Sequence, residues 1–299
     1  MPYTEDPGDL AGCDAAVVGA PMDELASDRP GTRMGPRAIR AESTDTGGHL
    51  EAGVDWNADL TVVDYGDAAV VPADPAASHR GIESIVSEVR RSGTIPLILG
   101  GDHSITEPCL RGCASEGPLG LIHFDAHTDT ASELWGVEVS HGTPMRRLVE
   151  QGHVDARRYA QIGLRGYWPG EPEFAWQESV GITSFFMHDV RELGIAAVVE
   201  RTMEIVGDGP VYLTVDIDSL DPAFAPGTGT PEPGGMNVHE LLSACRRVAD
   251  AVELIGADVV EVLPARSGPV DVTALMAGRI VSEILTGLAL RRGRRSAGG

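Results

Sequence analysis

Lysine is absent from this chain of 299 residues, and all 23 of its basic side chains are arginine. With 45 acidic side chains, the formal net charge is −22. Binding to nucleic acid or to an anionic membrane depends on clustered cationic side chains, so this charge argues against polyanionic partners. A strongly acidic surface keeps a protein soluble and mildly favours a cationic ligand.

Paired cysteines and long apolar runs are also missing. The four cysteines, at positions 13, 109, 113 and 245, show no Cys-x-x-Cys spacing, and a chain of this length folds without disulfides. Residues 1–6 lack the basic start and apolar stretch of a secretory signal, and no apolar run approaches the roughly 18 residues of a membrane span. We therefore expect a cytoplasmic protein that does not bind a membrane.

Short apolar runs rich in valine and isoleucine alternate with longer segments of helical spacing. The predicted strands are residues 15–19, 61–64, 95–99, 119–124, 159–164, 183–187, 211–215 and 258–262, and the clearest helices are 74–91, 238–252 and 273–290. This alternation predicts a parallel sheet covered on both faces, within one domain that spans residues 1–299. Periodicity alone does not separate an open doubly wound sheet from a closed barrel, but both place ligands at the carboxyl ends of strands.

Side chains that commonly bind metals follow three of these strands. His103 lies in Gly-Gly-Asp-His-Ser, residues 100–104, where the two glycines allow a sharp turn. Asp125, His127 and Asp129 occupy every second position after the strand 119–124. In an extended segment these three side chains would point the same way, so one short stretch of backbone could surround a metal ion.

Asp216 and Asp218 repeat this spacing after the strand 211–215. A single aspartate or histidine in such a place usually shapes a turn or caps a helix. Four aspartates and two histidines at three strand ends are different, because burying them together is costly without compensating cations. Two divalent ions would cancel the four negative charges, and oxygen and imidazole ligands without thiolate favour Mn²⁺ or a similar metal over a structural zinc.

These motifs resemble those of the ureohydrolase family, which includes arginase and agmatinase, along nearly the full chain. The resemblance depends on residues 100–104, on residues 125–129 followed by His141 and Gly142, and on residues 216–231. Residues 21–40, which contain Arg-Pro-Gly and Gly-Pro-Arg-Ala-Ile-Arg, look like the agmatinase branch of the family.

The resemblance implies a three-layer α/β/α fold with an open, doubly wound and mainly parallel sheet of eight strands. It also implies two manganese ions per subunit, which together activate a water molecule for attack on a guanidino carbon. By the same resemblance, one ion is held by His103 and Asp129, the other by His127 and Asp218, and both by the bridging carboxylates of Asp125 and Asp216.

Two further residues match catalytic positions of the family. His141 matches the residue that passes a proton to the leaving amine, and Glu261, at the end of the predicted strand 258–262, matches the carboxylate that holds the guanidinium group. The implied reaction is release of urea from a small guanidino compound. We expect agmatine to be the substrate. The alternative substrate is 4-guanidinobutyrate or 3-guanidinopropionate, and formiminoglutamate or arginine is less favoured. The family also implies a homo-oligomer, either a trimer or a hexamer.

The sequence departs from the agmatinase pattern where the substrate tail would bind. Asp28 stands where glycine is common, and Ala-Arg-Ser-Gly-Pro at 265–269 replaces the usual Tyr-Asp pair. Arg266 could face an acidic tail, although we expect it to point to solvent.

Two other classes of protein fit the sequence less well. A zinc deacetylase of this fold needs an adjacent His-His pair, which the sequence lacks. A non-catalytic relative would have lost a metal ligand, His141 or Glu261, and all of these are present.

Overall fold

The computed structural model describes residues 1–44, 47–114, 117–168, 170–264 and 270–297. Its strands are β1 (Ala15–Ala20), β2 (Val62–Asp67), β3 (Ile95–Gly100), β4 (Leu119–Phe124), β5 (Val154–Leu164), β6 (Thr183–Phe186), β7 (Pro210–Asp216) and β8 (Glu253–Val260). They form one sheet in the order β2-β1-β3-β8-β7-β4-β5-β6, and every pairing is parallel. The sheet is open and doubly wound, which confirms the expected fold class and excludes the barrel.

The helices are α1 (Gly35–Glu42), α2 (Trp56–Asp59), α3 (Pro75–Arg91), α4 (Thr106–Cys113), α5 (Pro144–Glu150), α6 (Glu171–Val180), α7 (Met187–Leu193), α8 (Ile195–Val206), α9 (Val238–Ala251) and α10 (Val272–Ala297). Helices α1, α8, α9 and α10 contribute to the apolar core on one face of the sheet, and α3, α4 and α5 to the core on the other. Within β3, Leu97 and Leu99 face the first core and Ile98 faces the second. Because both faces are covered, the strands read as continuous apolar runs.

Helix α3 shows how the sequence sets a local element. The Asp74 side chain accepts a hydrogen bond from the Ala77 N–H at 2.9 Å, and Pro75 occupies the first helical position. Ile82, Val86 and Val89 then share its buried face. A capped start followed by apolar residues at helical spacing is sufficient to predict this helix.

All eight predicted strands and all three predicted helices are present, but some bounds differ. Strand β8 ends at Val260, so Glu261 lies just beyond the strand and not within it. Helix α10 contains a segment, Val272–Arg294, that is long and apolar enough to cross a membrane by length and composition, so the expectation that no apolar run approaches this length was wrong. However, 61% of its most apolar window is buried inside the protein, as in a core helix.

The order of the strands decides where the ligand-bearing segments meet. Strands β3, β8, β7 and β4 are consecutive in the sheet, although β3 and β8 are more than 150 residues apart in the chain. The segments that follow β3, β8 and β4 carry His103, Glu261 and Asp125, and Asp216 is the last residue of β7. Because parallel strands end at one edge, these side chains converge in a crevice at the carboxyl edge of the sheet.

Candidate metal centre and active site

The first group of candidate ligands surrounds the imidazole of His103. Its Nδ1 atom lies 2.9 Å from Oδ2 of Asp129, 3.1 Å from Oδ2 of Asp125 and 3.2 Å from Oδ2 of Asp216. His103, Asp125 and Asp216 are buried, whereas Asp129 is partly exposed at the wall of a cavity.

The second group consists of His127 and Asp218, and Asp125 contacts both groups. Nδ1 of His127 lies 3.0 Å from Oδ2 of Asp218 and 3.4 Å from Oδ1 of Asp125. Since the other oxygen of Asp125 faces His103, this carboxylate stands where a bridging ligand would be needed. Asp216 faces the first group, and its Oδ1 accepts the backbone N–H of Asp218 at 2.8 Å.

These residues fit divalent cations. Nδ1 of His103 and Oδ2 of Asp218 are buried and lack a hydrogen-bond partner. Burial, together with the negative charges of Asp218 and Asp125, raises the pKa of Asp216 well above its ordinary value. Burial lowers the pKa of His103, but the carboxylates of Asp125, Asp129 and Asp216 beside its Nδ1 outweigh burial and raise the pKa well above the usual range. So many acidic groups in the interior require positive charge among them, and the donors are oxygen and imidazole atoms.

The backbone at residues 125–129 does not continue strand β4, which ends at Phe124. Asp129 has a φ of 50°, a conformation that costs energy for a residue with a side chain. The expectation that an extended segment aims the three ligands was therefore wrong, although the ligands do converge. Instead, the N–H of His127 donates to Oδ1 of Asp125 at 2.6 Å, and the N–H of Ala126 donates to Oδ1 of Asp218 at 3.1 Å.

Sequence reasoning missed His123, the third histidine of the centre, which is buried. Its Nε2 lies 2.7 Å from Oδ2 of Asp125, and its Nδ1 lies 2.9 Å from the hydroxyl of Tyr159. One nitrogen of His123, one of His103 and one oxygen of Asp125 lie within 4.8 Å of one another. His123 therefore helps to orient the central carboxylate, as groups behind metal ligands commonly do.

Thr214 and Asp258 were also missed. Nε2 of His103 lies 2.9 Å from Oγ1 of Thr214, and this hydroxyl donates to Oδ1 of the buried Asp258 at 2.5 Å. These contacts hold the imidazole with Nδ1 directed at the aspartates. A detectable signal was present in the sequence, because Asp258 and His123 are ionisable residues inside otherwise apolar strands.

Glu261 is buried beside the His103 group, just after β8, with a φ of 61°. Its Oε1 accepts the backbone N–H of His103 at 2.9 Å and lies 3.0 Å from Nδ1 of His141. Its other oxygen, Oε2, is buried and has no hydrogen-bond partner. Space in front of Oε2 exists because residue 229 is glycine: a Cβ atom there would lie 3.4 Å from this oxygen. An unpaired buried carboxylate oxygen is suited to a cationic donor such as a guanidinium group.

His141 lies on the connection between β4 and α5, and it is buried rather than exposed on that loop. Besides its contact with Glu261, its Nε2 lies 2.7 Å from Oγ of Ser27. Burial lowers the pKa of His141, but the hydrogen bond and charge of Glu261 outweigh burial and raise the pKa to about 9. The imidazole can therefore hold a proton near neutral pH.

One cavity of about 220 Å³ is lined by residues of both ligand groups and by His141. His127, Asp129, Asp216 and His141 form its inner part, while Leu134, Trp135 and Trp168 contribute apolar and aromatic walls, and the remaining lining residues are Ser27, Gly142 and Thr230. Asp28 is exposed, and its carboxylate lies 3.7 Å from the guanidinium of Arg29. Arg266 lies outside the described residues, so the structure does not address its predicted orientation.

A doubly wound parallel sheet with buried aspartates and histidines at its carboxyl edge defines a class of α/β proteins that bind metals there. Comparison with known proteins gives the particular family. The model of the arginase family matches residues 13–287, and the chain belongs to that family. The resemblance to ureohydrolases is thereby confirmed, and the protein is a hydrolase.

Similar proteins of known activity act on different guanidino compounds. The chain is 41% identical to guanidinopropionase of Pseudomonas aeruginosa, over 97% of this chain and 90% of that protein. It is 40% identical to mitochondrial agmatinase of Gallus gallus, over 92% of this chain and 81% of the relative. The solved structure of proclavaminate amidinohydrolase from Streptomyces clavuligerus superposes with a TM-score of 0.90 at 36% identity, covering 97% of this chain and 96% of the other.

Proposed function

We propose that this protein cleaves the C–N bond between the guanidino carbon and the alkyl nitrogen of a small linear substrate, and that agmatine, which would give putrescine and urea, is that substrate. The observation that carries this proposal is the unpaired Oε2 of Glu261, buried beside two groups of metal-binding side chains. A planar guanidinium group donates two parallel N–H bonds to a carboxylate, which would fix its carbon in front of the metal centre.

The residues present suit two Mn²⁺ ions. His103 and Asp129 would hold one ion, His127 and Asp218 the other, and Asp125 and Asp216 would contact both. When bound, two such ions supply a water molecule activated at neutral pH. Asp125 supports this assignment best, because its two oxygens face the two different groups.

Proton transfer falls to His141 in this proposal. The leaving amine must gain a proton as the C–N bond breaks, and a general acid must lie within hydrogen-bond reach of it. His141 shares the cavity with Asp129 and Asp216, and Glu261 holds its Nδ1. The nitrogen that is left to exchange a proton is Nε2.

The cavity wall supports an amine-tailed substrate. Trp135 and Trp168 present aromatic faces, which attract cations, and no arginine is among the described residues that line the cavity. The net charge of −22 would also raise the concentration of cations near the protein, within a screening distance of about 8 Å at physiological salt.

A guanidino acid is the second candidate, because the relatives include guanidinopropionase and guanidinobutyrase of Pseudomonas aeruginosa at 41% and 38% identity. Arg266 would then face the carboxylate tail. We further propose a cytoplasmic homo-oligomer, a trimer or a hexamer, that binds neither nucleic acid nor membranes.

A product-release assay on the Mn²⁺-loaded protein tests the proposal. The substrates are agmatine, 4-guanidinobutyrate, 3-guanidinopropionate and arginine, with urea as product, and formiminoglutamate, with formamide as product. We expect agmatine to give the highest kcat/KM. A preference for a guanidino acid would replace the agmatine assignment with the second candidate, and no turnover of any of these substrates would refute both.

A further inference from the structure

Ser27 contacts the nitrogen of His141 that the proposed reaction uses. Its Oγ lies 2.7 Å from Nε2, and its backbone N–H also points to Nε2 at 3.2 Å. Ser27 lines the same cavity as His141. We infer that Ser27 is a positioning residue for His141, which keeps Nε2 hydrogen-bonded both before and after it gives up its proton. This inference rests on the proposed function of His141.

The hydroxyl and the backbone N–H of Ser27 match the protonated and the deprotonated state of Nε2 of His141, respectively. A protonated Nε2 can only donate, and the Ser27 hydroxyl oxygen accepts that bond. A deprotonated Nε2 can only accept, and the Ser27 backbone N–H donates to its lone pair. Meanwhile, Nδ1–H donates to Oε1 of Glu261 in both states. The imidazole therefore keeps its orientation while the proton leaves and returns.

The proton path balances without a change at Ser27. In the forward step, the Nε2–H bond breaks and a new N–H bond forms on the leaving amine. In recovery, the hydroxyl of Ser27 passes its proton to Nε2 and takes one from a water molecule in the cavity, and the hydroxide that remains replaces the one consumed by addition to the guanidino carbon. The serine ends as it began, and the proton comes from solvent.

The surrounding backbone fixes the position of Ser27. The N–H of Leu25 donates to Oδ2 of the buried Asp102 at 3.1 Å, and the N–H of His141 donates to the carbonyl of Leu25 at 3.1 Å. Asp102 is the residue immediately before His103. The segment that carries Ser27 is therefore tied both to the backbone of His141 and to the segment that carries a metal ligand.

Steady-state kinetics on the Mn²⁺-loaded protein test the inference. Ser27→Ala removes the hydroxyl and leaves the backbone N–H, so we expect kcat to fall about tenfold while KM changes less than about twofold. Ser27→Thr restores the hydroxyl and should return kcat to within about threefold of wild type. Ser84→Ala removes a hydroxyl from an exposed position of α3 and serves as the matched control. Metal content and thermal unfolding should be the same in all variants, and Ser27→Cys replaces Ser27→Ala if the alanine variant does not fold.

The double variant Ser27→Ala with His141→Asn separates positioning from direct contact with substrate. If Ser27 acts through His141, the double variant should be no slower than His141→Asn alone, for which we expect a loss of about 10²-fold in kcat. Losses that multiply would overturn the inference, because Ser27 would then contribute without His141. So would a Ser27→Ala variant within twofold of wild type, or a threonine variant as slow as the alanine variant.

A measurement without substrate keeps the inference independent of the proposed function. In the metal-free protein with ¹⁵N-labelled histidine, at a pH where the His141 ring is charged, the Nε2–H proton of wild type should exchange slowly with water. Ser27→Ala should speed this exchange about tenfold, and Ser27→Thr should restore it. Failure of every substrate to react would refute the proposed function, whereas unchanged exchange in Ser27→Ala would refute the contact on which the inference depends.

Discussion

The two ends of the cavity are built differently. Behind the inner end, Glu261 is 1% exposed, contacts the lining residue His141 and accepts the backbone N–H of His103. At the outer end, Trp135 is 83% exposed and Trp168 is 53% exposed, both on connecting loops. Burial forces the inner end to keep compensating partners, because an unpaired buried charge is costly, whereas exposed loop residues can change freely. We therefore expect the inner end to carry the proposed chemistry and the outer end to carry the choice of substrate.

The largest effect is expected at Asp125, which contacts both ligand groups. Asp125→Asn should lower kcat/KM by about 10³-fold or more and reduce bound metal, because an amide is a neutral and weaker ligand. Asp216→Asn should behave similarly, and Asp129→Asn should be less damaging. Kinetics and metal analysis of the three purified variants check this order.

A chelator should likewise abolish activity, and Mn²⁺ should restore it better than other divalent ions. Full activity in protein shown to be free of metal would contradict the assignment of the centre, and equal losses in all three aspartate variants would contradict the bridging role.

A second large effect is expected at Glu261. Glu261→Gln removes the negative charge that would hold the guanidinium group, so kcat/KM should fall about 10²–10³-fold while metal content stays near that of wild type. Glutamine keeps the size of the side chain, and circular dichroism should show an unchanged fold. If this variant loses metal instead, Glu261 belongs to the metal centre and not to the substrate site.

A moderate effect is expected at the outer end. Trp135→Ala and Trp168→Ala should each lower kcat/KM for agmatine about 3–30-fold, mainly through KM, if the indoles attract the ammonium tail. Tyr167→Ala, at a fully exposed neighbouring aromatic residue, should change it less than about twofold. Equal values for the tryptophan and tyrosine variants would show that the aromatic wall does not select the tail.

The smallest effect is expected at Arg266. Near charges outweigh distant ones, so an arginine beside a bound ammonium would oppose binding by about 1 kcal/mol or more. If Arg266 points to solvent, Arg266→Ala should change kcat/KM for agmatine less than about threefold. If the wild type prefers 4-guanidinobutyrate and Arg266→Ala abolishes this preference, the outer end binds a carboxylate tail and the agmatine assignment is wrong.

The sequence by itself predicted all eight strands, three of the helices and the candidate side chains for the proposed chemistry. Continuous apolar runs predicted each strand, and the capped, periodic segment at α3 predicted that helix, because these signals are local. His103, Asp125, His127, Asp129, Asp216, Asp218, His141 and Glu261 were all named from motifs. A cluster of ionisable residues beside apolar runs can be recognised from the sequence alone, because burying several such residues together is costly without compensating charge.

Only the tertiary structure decided which strands are neighbours and which residues hydrogen-bond to the candidate metal ligands. The order β3-β8-β7-β4 joins β3 to β8, which are more than 150 residues apart, and β7 to β4, which are more than 80 apart, and no local signal encodes those pairings. The turn at Asp129, the pairing of His123 with Asp125 and the two contacts from Ser27 to His141 depend on it. Hydrogen bonds are directional and short, so whether two polar residues act together is settled only when the packed sheet brings their atoms within about 3 Å.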